Sequence, residues 1–209
     1  MHAILIHGMG RTPVAMLGLA RRLRVAGMSP RLFAYSAAIE RWDSCLNRLE
    51  RYINKNTASD QYILVGHSLG SVLIRGVLPR LPHKPVACFF LAPPTKACLA
   101  ARKFAPRLIY KLFTGEMGQL LADAAFMEAL PLPDVPTKIY AGINGPRGRY
   151  SPFGEQYNDG ILALHETELP EAIHQQVPAL HTFIMNKHAV AHDIVRFTHF
   201  LNHSEVSNS

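Results

Sequence analysis

A β-rich run, Tyr62-Ile63-Leu64-Val65, passes straight into Gly66-His67-Ser68-Leu69-Gly70 and out into the helix-compatible stretch Val72-Leu73-Ile74. A serine between two glycines at such a junction implies a turn so tight that the serine backbone is strained. Side chains two residues before and after it would collide with the neighbouring strand and helix, and glycine at both places removes the clash. The hydroxyl is then expected above the carboxyl end of a sheet, with the positive end of the following helix facing any anion formed beside it. The competing explanation is a Gly-rich turn in which the serine merely caps the helix.

The rest of the chain suits the first reading. Apolar runs bounded by turn signals alternate with helical periodicity, the pattern of a parallel sheet covered by helices on both faces. Strands are expected at Ala3 to His7, Arg31 to Tyr35, Gln61 to Val65, Val86 to Leu91, Lys138 to Gly142 and Ile173 to Val177. Helices are expected at Pro13 to Ala26, with Thr12 as N-cap and Gly27 as stop, at Arg41 to Asn54, from the elbow to Leu78, and at His188 to Leu201. The tail after Asn202 reads as disordered. The fold class is therefore α/β, a three-layer α/β/α sandwich with a mainly parallel sheet of about six strands.

At 209 residues the chain is expected to form one domain, 1–209, with a helical insertion at about 95–130. Cys45, Cys88 and Cys98 stand apart without CxxC spacing, so neither a zinc site nor a disulfide framework is suggested and a reducing, cytoplasmic compartment fits. Residues His2 to His7 already read as core strand, leaving no room for a leader peptide. The longest apolar run, Val86 to Ala92, is far short of the roughly 20 residues of a membrane-spanning helix. A net charge of +7 lacks the stacking aromatics or helix-turn-helix pattern of a nucleic-acid binder. No metal-binding spacing occurs, and no cofactor is called for.

Gly66-His67-Ser68-Leu69-Gly70 together with His7-Gly8-Met9-Gly10 resembles the α/β-hydrolase superfamily, especially its small lipase and esterase members, over most of the chain. The resemblance implies a reduced hydrolase sheet without the leading antiparallel strands, Ser68 as nucleophile, and an oxyanion hole made by the backbone N–H groups of Met9 and Leu69. It implies the chain order serine, acid, histidine. Asp159, in the Asn158-Asp159-Gly160 turn after the fifth strand, is the expected acid, with Glu155, Glu166 and Glu168 as competitors. His181, after the sixth strand, is the expected base and His188 the next choice, whereas His188, His192 and His199 also fall in a helical period. His67 and His7 read as orienting or packing residues, and Arg11 as an anchor of its loop, a contact for a substrate anion or a solvated side chain.

The implied activity is cleavage of a small-molecule or lipid ester through an acyl-enzyme on Ser68. Thioesterases and acyltransferases would use the same residues, and a non-catalytic ligand-binding protein could occupy the same scaffold. In the insertion, Lys96, Arg102, Lys103, Arg107 and Lys111 alternate with Leu99, Phe104, Leu108, Ile109, Leu112 and Phe113. This basic amphipathic segment is either a lid, with peripheral contact to an anionic membrane, or a solvated helix face. Oligomeric state is not encoded in any feature of the sequence.

Overall fold

In a computed structural model, residues 1–57, 60–97 and 108–206 are described, with no side-chain description for 108–113 and 204–206. The strands are β1 (His2–Ile6), β2 (Ser29–Phe33), β3 (Tyr62–His67), β4 (Ala87–Leu91), β5 (Thr137–Gly142) and β6 (Ile173–Val177). All six run parallel in the order β2-β1-β3-β4-β5-β6. The chain leaves β1 toward one edge and returns on its other side as β3, so the strand order reverses between β1 and β3. In open parallel sheets the crevice beyond the carboxyl ends at that reversal is where ligands bind.

Residues alternate across the sheet with the period of two that a strand dictates. Ile4, Ile6, Leu64, Cys88, Phe90 and Ile139 face one cluster, and Ala3, Leu5, Ile63, Val65, Phe89 and Tyr140 face the other. The first cluster is covered by α2 (Trp42–Thr57) and α3 (Leu69–Val77), the second by α1 (Leu17–Val25) and α6 (His188–Val206). In α2 the stripe Cys45, Leu46, Leu49 and Ile53 lies within 1% exposure, as helical spacing requires. Cys45 and Cys88 are both free and buried, and burial raises both thiols, Cys45 to about 12, so neither is poised as a thiolate.

Several expected boundaries move for identifiable reasons. β2 ends at Phe33 because Tyr35 leaves the sheet to stack on the His7 ring at 4.4 Å and to donate from its hydroxyl to the His7 carbonyl. Thr12 does precede the helical segment, but its side chain caps nothing and Pro13–Met16 forms a 3-10 turn before α1. Of the tail after Asn202 that reads as disordered, 203–206 instead continue α6, and 207–209 lie outside the described residues.

Between β4 and β5 the described part of the insertion is helical but not continuous. It forms α4 (Leu108–Leu120) and α5 (Ala124–Ala129). Gly115 breaks α4 at φ +56, where a Cβ would sit 2.6 Å from the Ala37 carbonyl oxygen. Glu116 then accepts from the Trp42 amide at 3.3 Å, closing the N-terminus of α2. Most of the basic segment expected from Lys96 to Phe113 lies outside the described residues or side chains.

Arg75, on α3, was not singled out by any motif. It is 3% exposed and, among the described residues, pairs with no carboxylate; instead it donates to the carbonyls of Pro131 (3.1 Å), Leu130 (2.7 Å) and Thr95 (3.4 Å). One guanidinium thus ties both ends of the insertion to the helix that follows Ser68. Among the described residues, no helix is long and apolar enough to cross a membrane.

Candidate active site

The elbow at the end of β3 is as tight as its glycines demand. A Cβ on Gly66 would lie 2.5 Å from the Ser71 nitrogen, and one on Gly70 would lie 2.3 Å from the Ile6 carbonyl oxygen. Both obstacles are backbone, so neither can yield cheaply. Between them Ser68 takes φ +51 and ψ −120, a strained conformation for a residue with a Cβ. Ser68 occupies the N-cap position of α3, yet its side chain makes no capping bond. Its Oγ is half-buried and donates to His181 Nε2 at 3.0 Å, which disposes of the simple helix-cap explanation.

His181 stands at the start of a 3-10 turn, His181–Asn186, between β6 and α6. Its Nδ1 lies 2.7 Å from Asp159 Oδ2. A carboxylate oxygen only accepts, so Nδ1 carries the proton and Nε2 is left with its lone pair toward Ser68. The other oxygen of Asp159 accepts from the amides of Ile161 (2.9 Å) and Leu162 (2.7 Å), which fixes the carboxyl plane. The Asp159 carbonyl also accepts from the His181 amide at 2.9 Å, so the two residues are joined by backbone as well as side chain. The structure therefore brings Ser68, His181 and Asp159 into one hydrogen-bonded line.

The competitors are elsewhere. Glu155 and Glu168 are exposed, and Glu166 is buried with one carboxylate oxygen accepting from the Ala163 amide at 2.8 Å. His188, His192 and His199 are exposed positions of α6. Among the described residues, no group of three or more His, Cys, Asp or Glu side chains is placed to hold a metal ion.

Two residues that the motif reading overlooked place the acid. Asn158, fully buried, donates to the carbonyls of Pro146 (2.9 Å) and Gln156 (3.0 Å) and accepts from the Gly160 amide (2.9 Å), which shapes the loop around Asp159. Gly142, at the end of β5, leaves the space into which Asp159 fits, since a Cβ there would come within 2.7 Å of Asp159 Cβ. Asn-Asp-Gly in a sequence signals a turn; that the asparagine is its internal brace emerges only when the loop is folded.

On the other lip of the crevice, His7 donates through Nδ1 to the Gly8 carbonyl at 2.9 Å. In a trans peptide the carbonyl and the following N–H point in opposite directions. Holding the Gly8 oxygen on the His7 side therefore turns the Met9 N–H away from it. That N–H has no acceptor among the described residues. The Leu69 N–H, first in α3, has none within its own helix.

A six-stranded parallel sheet with a strained serine beyond its third strand, and an acid and a histidine returning after the fifth and sixth, decides the architecture. The chain has the α/β-hydrolase fold. Its sequence matches no protein-family profile and no curated protein. Its structure is similar to that of the mature lipase BlEst2 of Bacillus licheniformis, with TM-score 0.69 and 16% identity over 94% of this chain and 91% of that one. It is similar also to the metagenomic carboxyl esterase MGS0156 (TM-score 0.71, 14% identity, 98% of this chain and 76% of that one). A third hydrolase-fold neighbour is the RedJ thioesterase of the prodiginine biosynthetic pathway in Streptomyces coelicolor (TM-score 0.60, 14% identity, 96% and 84% covered).

Proposed function

We propose that the protein is a serine hydrolase of carboxylic esters, working as one domain through a covalent acyl-enzyme on Ser68. The observation that carries this reading is the His181 imidazole spanning Ser68 Oγ at 3.0 Å and Asp159 Oδ2 at 2.7 Å. As the Ser68 oxygen attacks the ester carbonyl, its proton passes to His181 Nε2, and Asp159 stabilises the imidazolium that results. The charge that develops on the carbonyl oxygen faces the N–H groups of Met9 and Leu69, each such donor being worth about 3–4 kcal/mol in the transition state. His181 then gives its proton to the departing alcohol. In the second half it takes a proton from water, whose oxygen attacks the acyl carbonyl, and returns that proton to the Ser68 oxygen as the ester bond breaks and the acid leaves.

Lipase and carboxyl esterase neighbours favour an ester, small or lipid, as substrate, and the thioesterase neighbour keeps an acyl thioester as the second reading. The test is hydrolysis of p-nitrophenyl esters of increasing acyl length and of an acyl thioester, beside labelling with a fluorophosphonate. The wild type should label on Ser68 and turn over an ester series. Ser68→Ala should lose all labelling and at least about 10⁴-fold of kcat/KM while remaining folded. Wild-type protein that takes up no probe and cleaves no ester or thioester would remove the proposal and leave a ligand-binding scaffold.

A further inference from the structure

His67 takes no part in the proton path, yet its ring touches both His181 and the loop after β1. It precedes Ser68 in the chain and is 2% exposed. Its Nε2 donates to the carbonyl oxygen of His181 at 2.9 Å, with the two rings 5.1 Å apart and tilted by 53°. On the opposite edge, Nδ1 faces the loop after β1 so closely that a Cβ on Gly8 would come within 2.7 Å of it. That same Cβ would be 3.1 Å from Ser68 Cβ, so Gly8 packs against the elbow and the imidazole together.

The accounting of His181's own backbone explains why a histidine stands there. Its N–H is taken by the Asp159 carbonyl and its C=O by His67 Nε2. The residue carrying the imidazole is therefore held from one side by its acid partner and from the other by the immediate neighbour of the serine. We propose that His67 is a positioning residue that sets the separation between Ser68 and the His181 imidazole by holding the His181 carbonyl, and that seats the oxyanion loop against its other edge. The proposal rests on Ser68 and His181 being nucleophile and base.

The chemistry narrows what can do this job. The donor must reach a buried carbonyl, lie flat against Gly8, and bring no charge close to an imidazole that becomes cationic during attack. Burial, reinforced by the nearby His181, lowers His67 to about 3, so the ring is neutral wherever His181 could act as a base. With Nε2 as donor, Nδ1 is bare, and among the described residues it has no hydrogen-bond partner. A second proton there would point at Gly8 with nothing to receive it. Leucine or phenylalanine would fill the space without a donor, and asparagine would carry its amide on too short a stem. Glutamine alone among neutral side chains places an N–H at about the distance of Nε2.

The experiment compares the full-length wild type with His67→Gln, His67→Leu and His67→Asn, each first checked for cooperative thermal unfolding. His67→Leu should lower kcat for a p-nitrophenyl ester by about 10²-fold, with KM within about twofold, because the misplacement is felt in the transition state. Fluorophosphonate labelling of Ser68 should slow by a similar factor. His67→Gln should restore kcat to within about tenfold of wild type, which a purely space-filling role would not produce. Proton NMR should show the hydrogen-bonded Nδ1–H of His181 in wild type and His67→Gln, and broadened or lost in His67→Leu. A folded His67→Leu with wild-type kcat and labelling rate overturns the proposal while leaving Ser68 as nucleophile. If His67→Leu does not fold, His67→Asn must fall well below His67→Gln, and equal values overturn the proposal. A wild type that neither labels nor hydrolyses removes the nucleophile assignment and this proposal with it.

Discussion

The turn that carries Ser68 and the loop that carries Asp159 reach the same hydrogen-bonded line by opposite means. The elbow is shaped by exclusion: backbone atoms of β1 and α3 stand 2.3 and 2.5 Å from where side chains on Gly70 and Gly66 would begin, and the serine has nowhere else to go. The acid loop is shaped by attraction, through the three hydrogen bonds of Asn158 and the two amides that grip the Asp159 carboxylate. Exclusion is short-range, written in adjacent residues and intolerant of any added atom. Attraction is spread over a longer excursion and degrades one bond at a time.

The contrast can be broken most forcefully at the elbow. Gly70→Ala should cost more than about 3 kcal/mol, because its methyl group meets the Ile6 and His7 carbonyls and cannot be accommodated by rotating a side chain. Urea denaturation with a loss of less than 1 kcal/mol would show that the elbow gives way more readily than its geometry indicates. In the acid loop, Asn158→Ala strands two carbonyls and one amide, and a loss of about 2–3 kcal/mol is expected. Activity should fall too, yet the protein should still fold; unchanged activity would mean that Asp159 is held by its own contacts alone.

A gentler probe is pH. His67 has its ordinary value near 6.5 in the unfolded chain and about 3 when folded, so between these limits the unfolded state binds the extra proton. Stability should therefore rise with pH across that window and decline as pH falls from 6.5 toward 3. His67→Gln should flatten the dependence, as read from urea midpoints at a series of pH values; identical slopes would show that other groups govern acid sensitivity. The smallest effect sharpens the comparison from the other side. Ser68→Gly should stabilise the fold by about 1 kcal/mol, because the residue at φ +51 loses its strain, even as function disappears.

This difference in means also explains what could be read from the chain. Gly66-x-Ser68-x-Gly70 announces the elbow because a steric demand between near neighbours leaves a local record. The succession of strands follows from the apolar runs, and the chain order implied by the resemblance pointed to Asp159 and His181 because they come after the fifth and sixth of these. Asn158, Gly142 and Arg75 were invisible as positioning groups. Their partners, respectively the carbonyls of Pro146 and Gln156, the side chain of Asp159, and the carbonyls of Thr95, Leu130 and Pro131, become neighbours only through folding. The shift of β2 has the same origin, since Tyr35 leaves the sheet for the His7 ring just past the end of β1. The helical tail of α6 was misread because its polar composition resembles that of a frayed terminus.

Ser68 and His181 meet across 113 residues of sequence, whereas Asp159 and His181 are separated by 22. The shorter closure belongs to the last two strands and can form early; the longer one needs the whole sheet to be zipped from its middle to its edge, and such distant pairings are slow. A refolding chain in which only β5 and β6 have paired would therefore hold Asp159 beside His181 without Ser68. The Ser68–His181 contact is thus expected to form last, and on the proposed function fluorophosphonate labelling during refolding should return only once β5 and β6 have joined β4.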